Sequence, residues 1–481
     1  MSLLGSSAWA GDRRIALGAL GVAVAINLAL ALPRLGDAPF GFNEAATALV
    51  VDGPLSSLHS RAFDAETNGP AYFYVLYPWA YAFGSEPWSL RTFSVAAGVG
   101  VLLMLFRLGA AHASPGVGAA AALLAASWPY LIWLEHYARW YAFTMLLAVV
   151  STLLFLRMCR LRSTASAVAY GLVGGLMGWS FTPAYAVPAA HLAAGAVWRP
   201  GDSDRPWRVL AVSAATVGAF GIAELPLLLD QFQTLSGFWT PRQGWLGMLR
   251  ALAVLYGSSE ASLALLSCAL LGAVLGFVRP RFRQERFVTF VCLLWACSLP
   301  AALVLRSALG SPSIVTRYAS PSMPALIFLA ASLLARLPGA GSLLGFAAAL
   351  AAGLLWLPAE HQTIEREVNL GRTQREIHRR VGPGEALLYT DQFLFLPARR
   401  LHRDAIASYL WAPGISEKGH RVIGLGMALD DPAALAEFER VWIVHRRTSD
   451  LPDWVPRPRR THRVPPSGLF VTEYRPLGPD R

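Results

Sequence analysis

The sequence predicts a mainly α, polytopic membrane protein of about eleven transmembrane helices, with an outer loop of amphipathic helices after the first span and a small C-terminal extracytoplasmic α/β domain. Three observations predict it. Apolar runs recur at the length of about 17–25 residues that an α-helix needs to cross the hydrocarbon core, where every backbone polar group must be satisfied within the segment. Of 481 residues, 55% are hydrophobic and only 15% charged, too apolar a balance for a soluble enzyme of this size. Mean hydropathy is +0.44. Finally, the arginines of the short loops fall on alternate sides of the apolar runs.

The expected spans are 15–33, 92–110, 118–134, 140–158, 165–181, 184–198, 209–229, 261–278, 287–308, 318–335 and 341–358. Residues 165–198 form one uncharged run, too long for a single crossing and broken at Thr182-Pro183, so it reads as two short spans. The positive-inside rule tests this register, because one wrong span would carry every later arginine to the opposite side. With Arg13 and Arg14 cytoplasmic, the inner loops hold Arg107; Arg157, Arg160 and Arg162; Arg199, Arg205 and Arg208; Arg279, Arg281, Arg283 and Arg286; and Arg336. The outer short loops are much poorer in arginine. Two large segments then lie outside, residues 34–91 and 359–481, which divides the chain into a transmembrane domain, 1–358, and an extracytoplasmic domain, 359–481. No small-residue cleavage site follows the first span, which therefore reads as a retained anchor. A multi-pass protein of the cell membrane, its site facing away from the cytoplasm, is the expectation.

A net charge of +11 raises the question of nucleic acid, but the basic residues are spread as topology determinants with no basic patch interleaved with aromatics. Nucleic acid is not an expected partner. Cys159, Cys268, Cys292 and Cys297 fall within or beside spans, so no disulfide framework or thiolate metal site follows. The histidines lack ligand spacing, and no protein-bound metal is expected from them.

Within the first outer loop, Asn43–Val51 reads as a short amphipathic helix. Pro70–Gly84 is aromatic, uncharged and too short to span comfortably, which suits a stretch lying at headgroup level. Among the loop acids, Asp52, Glu66 and Glu86 read as solvated surface groups. Glu44 stands apart, ringed by Phe40, Phe42 and Ala45 soon after the first span, where a carboxylate is costly to desolvate. The outer ends of later spans supply further groups: Arg139 and Tyr141, Glu224, Arg306, and Arg317 with Tyr318. Three arginines beside two acids at one leaflet fit an anionic headgroup, because guanidinium binds phosphate in a bidentate fork. The competing reading is helix-end arginines reaching out to lipid phosphates.

In these residues the chain resembles the membrane glycosyltransferases of the C-type fold, the group of protein O-mannosyltransferases, lipid A aminoarabinose transferases and their bacterial family 39 relatives. The resemblance runs from residue 15 to about 340. It is carried by Asn43-Glu44 where such proteins have an Asp-Glu pair, by Asn68-Gly69-Pro70-Ala71-Tyr72-Phe73, by Gly84 through Leu90-Arg91, by Ala138-Arg139-Trp140-Tyr141-Ala142, and by Arg317-Tyr318 with Pro321. Singly each motif is weak, and their order and spacing together carry the signal.

The resemblance implies a polyprenyl-phosphate sugar as donor, bound from the outer side, and transfer to a lipid, glycan or protein acceptor with inversion. A carboxylate would take the acceptor proton, and cationic groups would stabilise the phosphate leaving group. Arg139, Tyr141, Arg306, Arg317, Tyr318, Glu224, Asn68 and Tyr72 become the expected substrate contacts. No cofactor beyond the lipid-linked donor is implied, and first-loop acids are of a type that can recruit a divalent ion.

Two departures bear on the chemistry. The aspartate usually taken as the base is Asn43 here, and an amide cannot accept that proton. Glu44, one position further along the helix and one methylene longer, is the expected replacement, with Asp64, Glu66 and Glu224 as alternatives. His-Pro-Pro has also become Asn68-Gly69-Pro70, which loosens the turn. A non-catalytic binder or transporter of lipid-linked glycans is therefore the competing function.

After the last span, Glu360–Val381 reads as an amphipathic helix, and Ala386–Thr390, Arg421–Leu425, Val441–His445 and Leu469–Tyr474 read as strands. With no phosphate loop or nucleophile motif, this domain is expected to cover the site or to choose the acceptor.

Overall fold

The computed structural model describes residues 13–65, 68–198, 207–234, 247, 259–281, 284–308, 314–337, 366, 368–402, 406–413, 427–455, 461–465, 467 and 469–476. The protein is mainly helical and multi-pass: five described helices, Arg13–Ala31, Pro87–His112, Tyr141–Leu161, Trp207–Leu227 and Glu285–Ala308, are long and apolar enough to cross a membrane. The chain divides into two compact units. The first holds Met1–Pro33, Thr67–Val75 and Arg91–Pro358, and the second holds Arg34–Glu66, Leu76–Leu90 and Ala359–Arg481.

In chain order the helices are α1 (Arg13–Ala31), α2 (Phe42–Val51), α3 (Leu58–Ala65), α4 (Ala71–Phe83), α5 (Pro87–His112), α6 (Pro115–Ala126), α7 (Pro129–Glu135), α8 (Tyr141–Leu161), α9 (Thr164–Ser180), α10 (Ala186–Val197), α11 (Trp207–Thr234), α12 (Ser259–Val278), α13 (Glu285–Ala308) and α14 (Met323–Leu334). A helix over 368–380, α15, and Gln392–His402, α16, follow.

The first unit packs α9 on α11, α12 on α14, α8 on α9, and α1 and α14 on α6. Glycine makes these approaches close. A Cβ on Gly109 would overlap the backbone of Gly118 across α5 and α6, and one on Gly272 would overlap the Leu329 carbonyl across α12 and α14. Small residues at such crossings let helices gain van der Waals contact that lipid alone does not drive.

One span and one long apolar run are broken. The one expected at 118–134 is a pair, α6 and α7, bent by 63° at Ser127-Trp128. Pro129 starts the second helix, and the Trp128 N–H turns to the Ala125 carbonyl, so the Leu124 carbonyl loses its helical partner and accepts the Ser127 hydroxyl at 3.4 Å instead. The uncharged run breaks at the 3₁₀ turn Thr182–Tyr185, at the expected Thr182-Pro183. An arginine of a later loop also fastens helix ends. Arg336 pairs with Glu285 and donates to the Arg279 carbonyl at 2.8 Å. The expected span 341–358 lies outside the described residues.

The second unit contains a six-stranded sheet of order β3-β2-β1-β4-β6-β5. Its strands are β1 (Glu385–Tyr389), β2 (Ser408–Trp411), β3 (Ala428–Leu429), β4 (Arg440–His445), β5 (Thr461–Val464) and β6 (Leu469–Tyr474). Strands β3, β2, β1 and β4 run parallel, while β6 pairs antiparallel with β4 and β5. Ala386, Leu387, Leu388 and Tyr389 are all buried, the continuous apolar run of a strand covered on both faces. The strand expected at Arg421–Leu425 lies outside the described residues. Helix α2 packs on α16 through Phe42 and Phe393, whose rings are 4.8 Å apart. Arg400 of α16 pairs with Asp52 and donates to the Ser85 carbonyl at 3.1 Å, fastening two first-loop segments to the C-terminal fold.

Candidate functional site

The short turn between α7 and α8 carries His136 to Trp140. The Ser94 hydroxyl of α5 donates to the Tyr137 carbonyl at 2.8 Å, and the Arg139 N–H closes back on that same carbonyl at 2.7 Å. His136 Nε2 meets the Ala31 carbonyl of α1 at 2.7 Å. Two helices, α5 and α1, thereby hold the turn, which leaves Arg139 and Tyr141 buried at the head of α8.

Arg317 and Tyr318 begin the 3₁₀ turn Thr316–Ser322, ahead of α14. This turn is tied to α13. Trp295 Nε1 donates to the Pro321 carbonyl at 2.8 Å, the Ser322 hydroxyl to the Trp295 carbonyl at 3.1 Å, and the Ser320 hydroxyl to the Arg317 carbonyl at 2.8 Å.

Aromatic rings join the two turns. Trp140 stacks on Phe181, the residue before the α9–α10 break, with centroids 3.9 Å apart and planes at 17°. Tyr318 lies 6.1 Å from Trp140 and 5.6 Å from Phe181. The Tyr141 hydroxyl faces the Arg317 guanidinium, which remains charged in any protein setting. Of the expected substrate contacts, Arg139, Tyr141, Arg317 and Tyr318 thus come together. Arg306, in the last turn of α13, is exposed and within electrostatic reach of the Tyr318 hydroxyl.

An acid adjoins this platform. Glu224 of α11 is 1% exposed and accepts the Thr182 hydroxyl at 2.5 Å, one residue past Phe181. The Tyr185 hydroxyl and the Gly69 N–H face the same carboxylate, yet Oε2 closes no hydrogen bond. Gly69 itself presses on α9, where a Cβ would overlap the Trp179 carbonyl oxygen. That contact fixes Asn68, half-buried, and Tyr72, fully buried against Phe93 and Phe143 at 6.0 and 6.1 Å.

Asn43, Glu44 and Asp64 belong to the second unit. Asn43 and Glu44 open α2, where Glu44 is 1% exposed and one of its oxygens accepts the Gly41 N–H at 3.0 Å. That bond is the carboxylate half of a capping box, a structural duty the sequence reading did not assign. Asp64 is half-buried on α3, and Glu66 lies outside the described residues.

Several participants escaped the sequence reading. Phe181 and Tyr185 read as ordinary span residues, Thr182 only as the place of the proline break, and Trp140 only as a member of its motif. Glu135 also went unread: it is fully buried, and both its oxygens accept Asn27 Nδ2, at 3.1 and 3.0 Å. A carboxylate closing an apolar run was the available signal. Among the described residues no three His, Cys, Asp or Glu side chains gather as a metal site.

No family model matches the chain, and no curated protein matches it. Solved structures do match. ArnT from Cupriavidus metallidurans, in the apo state and bound to undecaprenyl phosphate, superposes with a TM-score of 0.65 at 14% identity, covering 95% of this chain and 98% of that one. The archaeal oligosaccharyltransferase AglB from Archaeoglobus fulgidus, in complex with an inhibitory peptide and a dolichol-phosphate, gives 0.50 at 12% identity over 89% of this chain and 69% of its own. The chain has the C-type fold of the membrane glycosyltransferases, as its motifs led one to expect.

Proposed function

From this shared fold, we propose that the protein is a glycosyltransferase that moves a sugar from a polyprenyl-phosphate donor to an acceptor at the outer face of the cell membrane, with inversion. The observation that carries the proposal is that Arg139 and Arg317 both lie within electrostatic reach of the Tyr141 hydroxyl beside one aromatic platform, in a fold whose ArnT structure is bound to undecaprenyl phosphate. The two guanidinium groups bind the donor phosphate. As the acceptor hydroxyl attacks the anomeric carbon and the bond from that carbon to the phosphate oxygen breaks, negative charge grows on the phosphate. Prepositioned cations stabilise that charge more than they stabilise the intact donor. Tyr141, Tyr318 and Arg306 complete the phosphate environment, and Asn68 and Tyr72 line the approach of the donor.

The acceptor proton goes to a carboxylate. We assign Glu44 this role, with Asp64 as the other first-loop acid. Glu224 is the competing base, favoured by the oxygen that closes no hydrogen bond and by its link through Thr182 to the platform.

Reconstituted protein incubated with a panel of polyprenyl-phosphate sugars tests the proposal, with mass spectrometry following release of free polyprenyl phosphate. Release by the wild type and its loss in Glu44→Gln are expected. Loss in Glu224→Gln alone reassigns the base. Donor binding without release from any member of the panel establishes instead a binder or transporter of lipid-linked glycans, the outcome that Asn43 in place of an aspartate would explain.

A further inference from the structure

Helix α15 turns its apolar and uncharged residues inward. Gln374 Nε2 donates to the Leu394 carbonyl of α16 at 3.1 Å, the Thr373 hydroxyl accepts the Ser467 N–H at 3.3 Å, and Ile377 is buried. Gly371 lies against Pro39, where a Cβ would crowd the ring. The outward face is basic. Arg372, Arg375, Arg379 and Arg380, with Glu376 and Pro465, line an open groove of about 430 Å³.

The one acid of this face is already engaged, by Arg380 at 3.2 Å and Arg379 at 3.9 Å. Arg372 and Arg375 have no acidic partner among the described residues. Successive turns of a helix bring such side chains about 5.4 Å apart along its axis, so these arginines form a row rather than a cup around one small ion. A row of forked donors matches an array of phosphates.

Two further observations identify the array. The helix follows shortly after the apolar run 341–358, the last expected span. In the same compact unit Tyr81, Phe83 and Trp88 are 85%, 53% and 51% exposed, side chains that suit the headgroup level of a bilayer.

We propose that the arginine face of α15 docks the anionic phosphate headgroups of the surrounding bilayer. This surface acts independently of the donor site and does not rest on the proposed transferase activity. Each arginine near an anionic surface contributes roughly a fivefold gain in affinity.

The test titrates the full-length protein in uncharged detergent with short-chain phosphatidylglycerol, counting bound lipid by native mass spectrometry. Phosphatidylcholine and glycerol phosphate serve as probes of headgroup charge and of the free headgroup. The expected result is preferential, salt-sensitive binding of phosphatidylglycerol that weakens roughly 25-fold in Arg372→Gln/Arg375→Gln and tightens roughly fivefold in Glu376→Gln. All three side chains lie on the surface, and an unchanged unfolding temperature checks that each variant folds. Equal binding of phosphatidylglycerol by wild type and both variants would overturn the proposal and leave a solvated charged face. Glycerol phosphate binding as tightly as the lipid, with the same dependence on these residues, would overturn the lipid assignment in favour of a soluble anion.

Discussion

Gly69→Ala is the most direct probe of how the platform is assembled. The added Cβ meets the Trp179 backbone carbonyl, which ends α9 and cannot swing aside as a side chain would, and it also stands 3.0 Å from the indole Nε1. Restoring ordinary contact requires the Asn68–Tyr72 segment to retreat by roughly 1 Å. Overpacking of this kind costs about 1–3 kcal/mol. Alanine also narrows the unfolded ensemble, which returns about 0.4–1 kcal/mol, so the clash wins and a net loss of about 1–2 kcal/mol is expected. The functional effect is larger, because a shift near 1 Å at a reacting centre lowers turnover by on the order of 10²-fold. Thermal unfolding in detergent and release of polyprenyl phosphate measure the two quantities. Gly218→Ala, in α11 with open space around the new methyl, is the control, expected to hold or raise stability. Gly69→Ala matching the wild type in both measurements would refute the close approach between residues 69 and 179.

Arg400→Ala should destabilise the second unit by about 1–2 kcal/mol, since it strips a charged partner from Asp52, and Arg400→Lys should recover only part of that because it lacks the fork; unfolding temperatures of the two variants decide. Arg317→Lys keeps charge but loses bidentate geometry and should cut turnover by on the order of 10²-fold with the fold intact, whereas wild-type turnover would remove Arg317 from phosphate binding. His445 is buried, and burial pushes its imidazole below the usual histidine range, with the Arg447 carbonyl contact and Asp450 opposing in part. The ring donates from Nδ1 to that carbonyl at 2.8 Å, and Nε2 meets the Thr472 hydroxyl at 2.9 Å, contacts that the neutral ring favoured by burial satisfies. Its stabilisation is therefore complete above the unfolded value of about 6.5 and fades as pH falls toward the depressed native value. His445→Gln should flatten the slope of second-unit stability against pH below about 6.5, as followed by hydrogen exchange of β4 and β6; an unchanged slope would show that the ring does not titrate there.

Much of the architecture could be read from the chain alone. The apolar runs, the Thr182-Pro183 break, the helix opening at Asn43 and the strands β1, β4 and β6 follow from local composition and period. The bend at Ser127-Trp128 did not, because hydropathy sums over a window and is blind to one residue leaving helical geometry. Strands β2, β3 and β5 are short, and their register comes from pairing with β1, β2 and β6 respectively rather than from their own pattern.

The sequence by itself determined that this is a multi-pass membrane protein, and it nominated Arg139, Tyr141, Arg317 and Tyr318 through motif order and Glu224 as an acid at the end of a span. Insertion and topology depend on hydrophobicity and arginine placement summed along the chain, and both are local properties. Only the tertiary structure decided which groups meet: Trp140 with Phe181, Thr182 with Glu224, Asn27 with Glu135 across 108 residues, and Asp52 with Arg400 across 348. Such pairs depend on the rotation and depth at which each helix packs on its neighbours. Those are set by glycine contacts such as Gly109 on Gly118, which have no signature in composition or period.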